Sequence, residues 1–122
     1  MSDREEQGCR PISGVDWESG VKRLMGNEQL YRRLLSKFVS GYGDAGERVR
    51  EALKAGERQK AHAELHTLKG VAGNLSLVPL ADYVLAAEQA VKHDDVSHEG
   101  ELIDAMDREL EALIRALKAS GL

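Results

Sequence analysis

The residues best suited to chemistry are two histidines four positions apart, which a lysine and two glycines follow in the run AHAELHTLKGVAGNL. On a helix of about 100° per residue, His62, His66, Lys69, Gly70 and Gly73 share one face. The opposite face carries an apolar stripe that a bundle helix would bury, namely Ala61, Leu65, Leu68, Ala72 and Leu75. The pattern therefore predicts an exposed imidazole at His66. A neutral imidazole is a nucleophile that can attack a phosphoryl group.

The glycines indicate that a large partner approaches this histidine. A glycine inside a helix costs about 1 kcal/mol against alanine, so two on one outer face need a reason. Gly70, four residues after His66, leaves the ring uncovered, while Ala63 and Gly73 extend the smooth surface. We therefore predict a docking surface made of His62, Ala63 and Gly73 around His66.

The same segment resembles the signature of histidine-containing phosphotransfer (HPt) domains. His66, Leu68, Lys69 and Gly70 match its H-x-L-K-G core, and the sequence AGNL that begins at Ala72 matches its usual continuation. The resemblance implies a phosphorelay intermediate, in which His66 accepts a phosphoryl group from a receiver-domain aspartate and passes it to another. It implies response-regulator receiver domains or a hybrid histidine kinase as partners.

The roles of the neighbouring residues follow from their spacing and from this resemblance. Lys69, three residues after His66, is placed to approach the phosphoryl oxygens as a point charge. Ungapped matching to the family places its ring-supporting polar residue at Glu88, which either hydrogen-bonds the far nitrogen of His66 or is a solvated helix residue. No carboxylate cluster near His66 is suited to magnesium, so we expect no cofactor of its own and a Mg²⁺ supplied by the partner receiver domain.

Three other readings compete with phosphotransfer. His62 and His66 could jointly hold a metal, but such a site needs a further firm ligand and Glu64 points elsewhere, so we predict no metal. A non-catalytic helical docking module for signalling proteins would use the same smooth surface. An independent enzyme is disfavoured because neither a nucleophile–base pair nor the glycine-rich nucleotide segments of a kinase core occur.

Composition limits the class of protein. Of the 122 residues, 42% are hydrophobic, 31% are charged and only 4% are aromatic, which favours a single globular domain made of helices. The net charge of −4 argues against nucleic-acid binding. No apolar run is long enough for a membrane segment, and the polar N-terminus lacks a secretory signal, so we expect a cytoplasmic protein. Cys9 is interpreted as an incidental thiol.

Caps, stops and periodicity divide the chain into a flexible leader at 1–14 and a helical domain at 15–120. Asp16 and Asn27 are suitable N-caps, Gly56 is a suitable stop, and Pro79 fits a first helical turn. Six helices are predicted, the signature helix over 57–76. We expect an all-α antiparallel four-helix bundle with one or two short additional helices, and a monomer because the bundle fills its own core. In the bundle we place the second, fourth, fifth and sixth helices.

Two positions do not fit easily. Glu64 falls towards the buried side of the signature helix, where it needs a paired or snorkelling side chain. Ser76 stands where many members of the family have glycine, so the turn after the helix is expected to differ slightly.

Overall fold

The computed structural model describes residues 12–122, which fold into helices without any strand. The described helices are α1 (Trp17–Arg23), α2 (Glu28–Gly41), α3 (Ala45–Lys54), α4 (Arg58–Asn74), α5 (Val78–Lys92) and α6 (Val96–Ala119). The all-α prediction is confirmed. Cys9 and most of the predicted leader lie outside the described residues. None of the helices within 12–122 is long and apolar enough to cross a membrane.

The helices begin and end for local reasons that the sequence already contains. The side chains of Asp16 and Asn27 accept hydrogen bonds from the first turns of α1 and α2. Gly56 adopts a φ of +78° directly after α3, a left-handed conformation that glycine reaches without strain. The signature helix is shorter than predicted at both ends, since α4 spans Arg58–Asn74.

The bundle is a ring in which α4 packs against α5, α5 against α6, and α3 against both α4 and α6. Consecutive helices of the ring are antiparallel because the connections between them are short. The first and last helices of the ring are antiparallel as well, since Gly46 of α3 lies against Asp107 of α6 while Arg50 reaches Asp104. The assignment of helices was partly wrong. The helix at 45–54 is a member of the ring, and α2 packs beside α1 and α6. The fourth column of the bundle is therefore divided between α2 and α3.

The interior is filled mainly by aliphatic side chains from every bundle helix. On α4 the buried residues are Ala61, Leu65, Leu68 and Ala72, and Leu75, the fifth residue of the predicted stripe, is buried directly after the helix. Burial of this stripe fixes the rotation of α4 about its axis, since apolar area removed from water is worth about 25 cal/mol per Å². The opposite face of α4 is thereby turned outward.

One end of the bundle is closed by α1, which rests on the ring of Tyr31. A Cβ at Gly20 would lie 2.2 Å from this ring, so only glycine allows the close approach. The Tyr31 hydroxyl donates to the carbonyl of Leu75 at 2.6 Å, and burial, followed by the charge of Asp16, raises the pKa of Tyr31 to about 12. Ser76 has a φ of +59°, which explains why glycine suits this position in the resembled family.

Candidate functional site

His66 lies on the outward face of α4, as its position in the helical pattern predicted. Its side chain is 66% exposed, whereas Leu65 and Leu68, its neighbours on the inner stripe, are completely or almost completely buried. The exposed imidazole can therefore be reached by a second protein without any rearrangement of the bundle.

Glu88 on α5 is the centre of the site. Its side chain is only 4% exposed, so the interpretation of Glu88 as a solvated helix residue is wrong. Three side chains from α4 converge on its carboxylate. His66 Nδ1 lies 3.0 Å from Oε2, His62 Nε2 lies 3.2 Å from the same oxygen, and Lys69 Nζ lies 2.8 Å from Oε1.

The contact with Glu88 determines the tautomer of His66. Burial disfavours the charged carboxylate, but hydrogen bonds from Lys69 and His66, together with the charges of Lys69 and His62, outweigh burial and lower the pKa of Glu88. An ionised carboxylate can only accept hydrogen bonds, so His66 Nδ1 must carry the proton that it donates. In the neutral ring the lone pair is then on Nε2, which has no hydrogen-bond partner within residues 12–122.

Lys69 is placed differently from the simplest expectation. Its ammonium group pairs with Glu88 instead of standing free beside His66, and its side chain is 32% exposed. The ion pair compensates the buried carboxylate, which would be costly to leave unpaired. A role for Lys69 towards a phosphoryl group stays a prediction, and in this geometry the ammonium group also anchors the carboxylate that orients the ring.

His62 lies one helical turn before His66, and the two rings are stacked at 6.2 Å between centroids with 20° between their planes. Its Nε2 atom is buried and, although close to Glu88, is not aligned for a hydrogen bond. Within residues 12–122, no group of three or more His, Cys, Asp or Glu residues is arranged to hold a metal ion.

The glycines on this face are not needed for packing inside the bundle. A Cβ added at Gly70 or Gly73 would meet no atom within 4 Å. Gly20 and Gly46 are different, since a Cβ there would lie 2.2 Å and 2.6 Å from neighbouring side chains. Ala63 is exposed on the same face of α4 as the histidines. The described contacts therefore give Gly70 and Gly73 no role in close packing inside the bundle.

Sequence reasoning missed Leu85, which lies one turn before Glu88 on the same side of α5. This leucine is 42% exposed, and its spacing of three residues from Glu88 places it on the side of α5 that carries Glu88. A signal was available, because Leu85 falls outside the inner stripe of α5 that contains Val84 and Ala87. The problem of Glu64 is resolved by Arg48 of α3, whose Nε lies 3.3 Å from its carboxylate on the other side of α4.

Comparison with known proteins agrees with this geometry. The family model of the Hpt domain matches residues 33–119, which is well over half of the chain. No match was found among curated proteins or among solved structures. The chain belongs to the Hpt domain family, whose members are phosphotransfer modules of phosphorelays that lack a kinase core and interact with receiver domains and kinases.

Proposed function

We propose that His66 is the phosphoryl-carrying residue of this domain. In this proposal Nε2 accepts a phosphoryl group from an aspartyl phosphate on one receiver domain and later returns it to an aspartate on another. The observation that carries the proposal is the pairing of an exposed ring with a buried carboxylate. Glu88 accepts from Nδ1, and the nucleophilic lone pair of Nε2 faces outward.

The transfer step follows from this arrangement. The lone pair of Nε2 attacks phosphorus, the N–P bond forms, and the P–O bond to the partner's aspartate breaks with its electron pair returning to that carboxylate. His66 keeps its Nδ1 proton, so the ring becomes positively charged. The hydrogen bond to ionised Glu88 stabilises this charge, in the way that a carboxylate supports an imidazolium in a catalytic triad. Transfer in the opposite direction uses the same contacts.

Magnesium, in this proposal, arrives with the receiver domain. The carboxylate nearest His66 belongs to Glu88, which is buried and already contacts Lys69, His62 and His66, so it has no free face to offer a cation. The domain then contributes a positioned nucleophile and a surface, and has no independent catalytic activity. We expect it to act as a monomer because α3, α4, α5 and α6 close their own core.

The docking surface comprises His62, Ala63, Gly70 and Gly73 of α4 and Leu85 of α5. Its glycines let the partner backbone approach the ring, and its exposed leucine provides apolar area at the edge. Close approach is required because phosphoryl transfer depends mostly on positioning and charge stabilisation.

The test is phosphoryl transfer from a panel of magnesium-loaded, phosphorylated receiver domains. The variant is His66→Gln, and His98→Gln is a matched control. His98 is also 66% exposed and its Nδ1 also lies 3.0 Å from a carboxylate, that of Asp95, but it stands on α6. We expect acid-labile, base-stable label on the wild type and on His98→Gln, and none on His66→Gln.

The alternative function is a docking module that binds signalling proteins without covalent chemistry, which the smooth surface also favours. This alternative is supported if the wild type binds receiver domains but takes no label from any of them, and if His66→Gln binds equally well. Label that persists in His66→Gln would contradict the assignment of His66.

A further inference from the structure

The phosphotransfer signature gives His62 no role beyond the docking surface, yet its ring lies directly beside the carboxylate of Glu88. Its Nε2 atom is buried 3.2 Å from Glu88 Oε2, the same oxygen that accepts from His66. A nitrogen lone pair so close to an ionised carboxylate would be repelled by it, so Nε2 carries a proton in both the neutral and the charged ring. The remainder of the ring, with 35% of the side chain exposed, reaches solvent.

Titration of His62 therefore changes the charge of the site without changing its contacts. The second proton binds Nδ1, while Nε2–H stays beside Glu88. With His62 neutral, the charges of Lys69 and Glu88 cancel each other. With His62 protonated, the site has one surplus positive charge next to His66.

We propose that His62 is a positioning and charge-balancing residue that takes up a proton from solvent when His66 is phosphorylated. The inference rests on the proposed function of His66. Transfer adds a phosphoryl dianion to Nε2 and leaves one positive charge on the ring, so the site gains one net negative charge. The two rings are stacked 6.2 Å apart, close enough for that charge to favour protonation of His62. By linkage, protonation of His62 then favours the phosphorylated form.

The other charges near His62 stay constant over the relevant pH range. On α4 these are Lys69 and, one turn before His62, Arg58, which is paired with Asp94 and Glu99. From α5, Glu88 faces His62, and Lys92 lies one turn after Glu88 on that helix. From α3, Arg48 faces α4 on the side of Glu64, away from His62. Of the residue types in this site, only histidine has an ordinary pKa between pH 5 and pH 8.

The expected size of the effect follows from Coulomb's law. A unit charge about 7 Å away at an effective dielectric constant of 20 to 40 moves a titration midpoint by roughly one pH unit. A shift of one unit corresponds to a change of about tenfold in the equilibrium between phosphorylated His66 and a phosphorylated receiver domain. This change in the equilibrium between the two phosphorylated forms develops as His62 takes up its second proton.

The experiment measures this equilibrium with one receiver domain between pH 6 and pH 8.5 for the wild type, His62→Gln and His62→Lys. Glutamine keeps a polar N–H group at this position but cannot take up a proton, and lysine carries a positive charge. Dividing the equilibrium constant of the wild type by that of a variant removes the pH dependence that comes from the receiver domain itself. We expect the ratio of the wild-type equilibrium constant to that of His62→Gln to rise by about tenfold from high pH to low pH. His62→Lys should equal the low-pH wild type throughout.

A second readout does not need the receiver domain. The full chain is phosphorylated chemically with phosphoramidate, and the ring protons of the histidines are followed by NMR titration. The midpoint of His62 should move to higher pH in the phosphorylated form by about one unit, and that of His98 on α6 should stay unchanged.

The possible outcomes are distinct. If His66 takes the label but the wild type and His62→Gln have the same pH dependence, or if the His62 midpoint does not move, the role of His62 is overturned and the proposed function stands. If the wild type takes no label at any pH, both proposals are overturned.

Discussion

Substitutions of Gly70 and Gly73 should change the stability of the domain and its phosphoryl transfer in opposite directions. A Cβ at either position meets no atom within 4 Å, so Gly70→Ala has no steric penalty inside the bundle. Alanine in a helix interior is favoured over glycine by about 1 kcal/mol, so Gly70→Ala should stabilise the domain by that amount and raise its Tm by about 3 °C. Gly73 lies in the last turn of α4, so Gly73→Ala should stabilise the domain by less. The double substitution should be close to additive.

Function should change in the opposite direction. Larger side chains at position 70 lie one turn after His66 and separate Nε2 from the incoming phosphorus. A displacement of 1 Å lowers the rate of a positioned reaction by as much as about a hundredfold, so we expect a graded loss from Gly70→Ala to Gly70→Leu. The matched control is Gly100 on α6, where a Cβ also meets nothing within 4 Å. Gly100→Ala should stabilise the fold equally and leave transfer unchanged.

The assay combines thermal unfolding with the rate of phosphoryl transfer from one receiver domain. Because the variants are expected to be more stable than the wild type, a loss of transfer cannot be attributed to unfolding. The reasoning is refuted if Gly70→Leu is folded and transfers as fast as the wild type, since the cleared surface would then serve no approach. It is also refuted if Gly70→Ala destabilises the bundle.

Three further predictions concern the parts that frame the site. In denaturant unfolding, Ser76→Gly should be more stable than Ser76→Ala by about 1 kcal/mol. Both variants lose the hydroxyl, but only glycine adopts the left-handed backbone conformation of this position without strain. Equal stabilities of the two variants would contradict this. Tyr31→Phe should cost about 1 kcal/mol in unfolding experiments at neutral pH. The pKa of Tyr31 is raised to about 12 in the folded state, so the unfolded state loses the phenol proton first. The free energy of unfolding of the wild type should therefore fall as the pH rises above about 10. Tyr31→Phe should lack this pH-dependent loss. Leu85→Ala should weaken receiver binding about fivefold, measured by calorimetry, with Val96→Ala as an exposed control on α6 that changes nothing.

The pKa of Glu88 leads to one more prediction about stability. Its folded value lies below the usual 4.5, so the ionised carboxylate stabilises the fold above the unfolded value, and this contribution is lost as the pH falls through the folded value. Acid unfolding of Glu88→Gln should therefore depend less on pH below 4.5 than that of the wild type. Equal pH dependences in this range would show that Lys69, His66 and His62 do not favour the ionised form of Glu88.

Local features of the chain were sufficient to predict the helices and the outward direction of His66. The stripe that contains Leu65 and Leu68 repeats with the period of one helix, and a cap such as Asn27 acts on its own first turn. Such features need no knowledge of the rest of the molecule. The same reasoning failed for the division of the fourth column, because α2 and α3 have similar apolar patterns and only packing against α4 distinguishes them.

The contacts that orient the ring of His66 were decided by the tertiary structure. Glu88 is separated from His66 by 22 positions, and only the antiparallel alignment of α5 with α4 brings its carboxylate under the ring. Family matching identified Glu88 from the sequence. The way in which α5 packs against α4 decides how deeply Glu88 is buried and brings both Lys69 and His62 to its carboxylate. The amino-acid sequence by itself determined which face of α4 is exposed, since periodicity is local. The tertiary structure alone decided which atom of His66 is left free, since a buried carboxylate acquires its donors only when two helices meet.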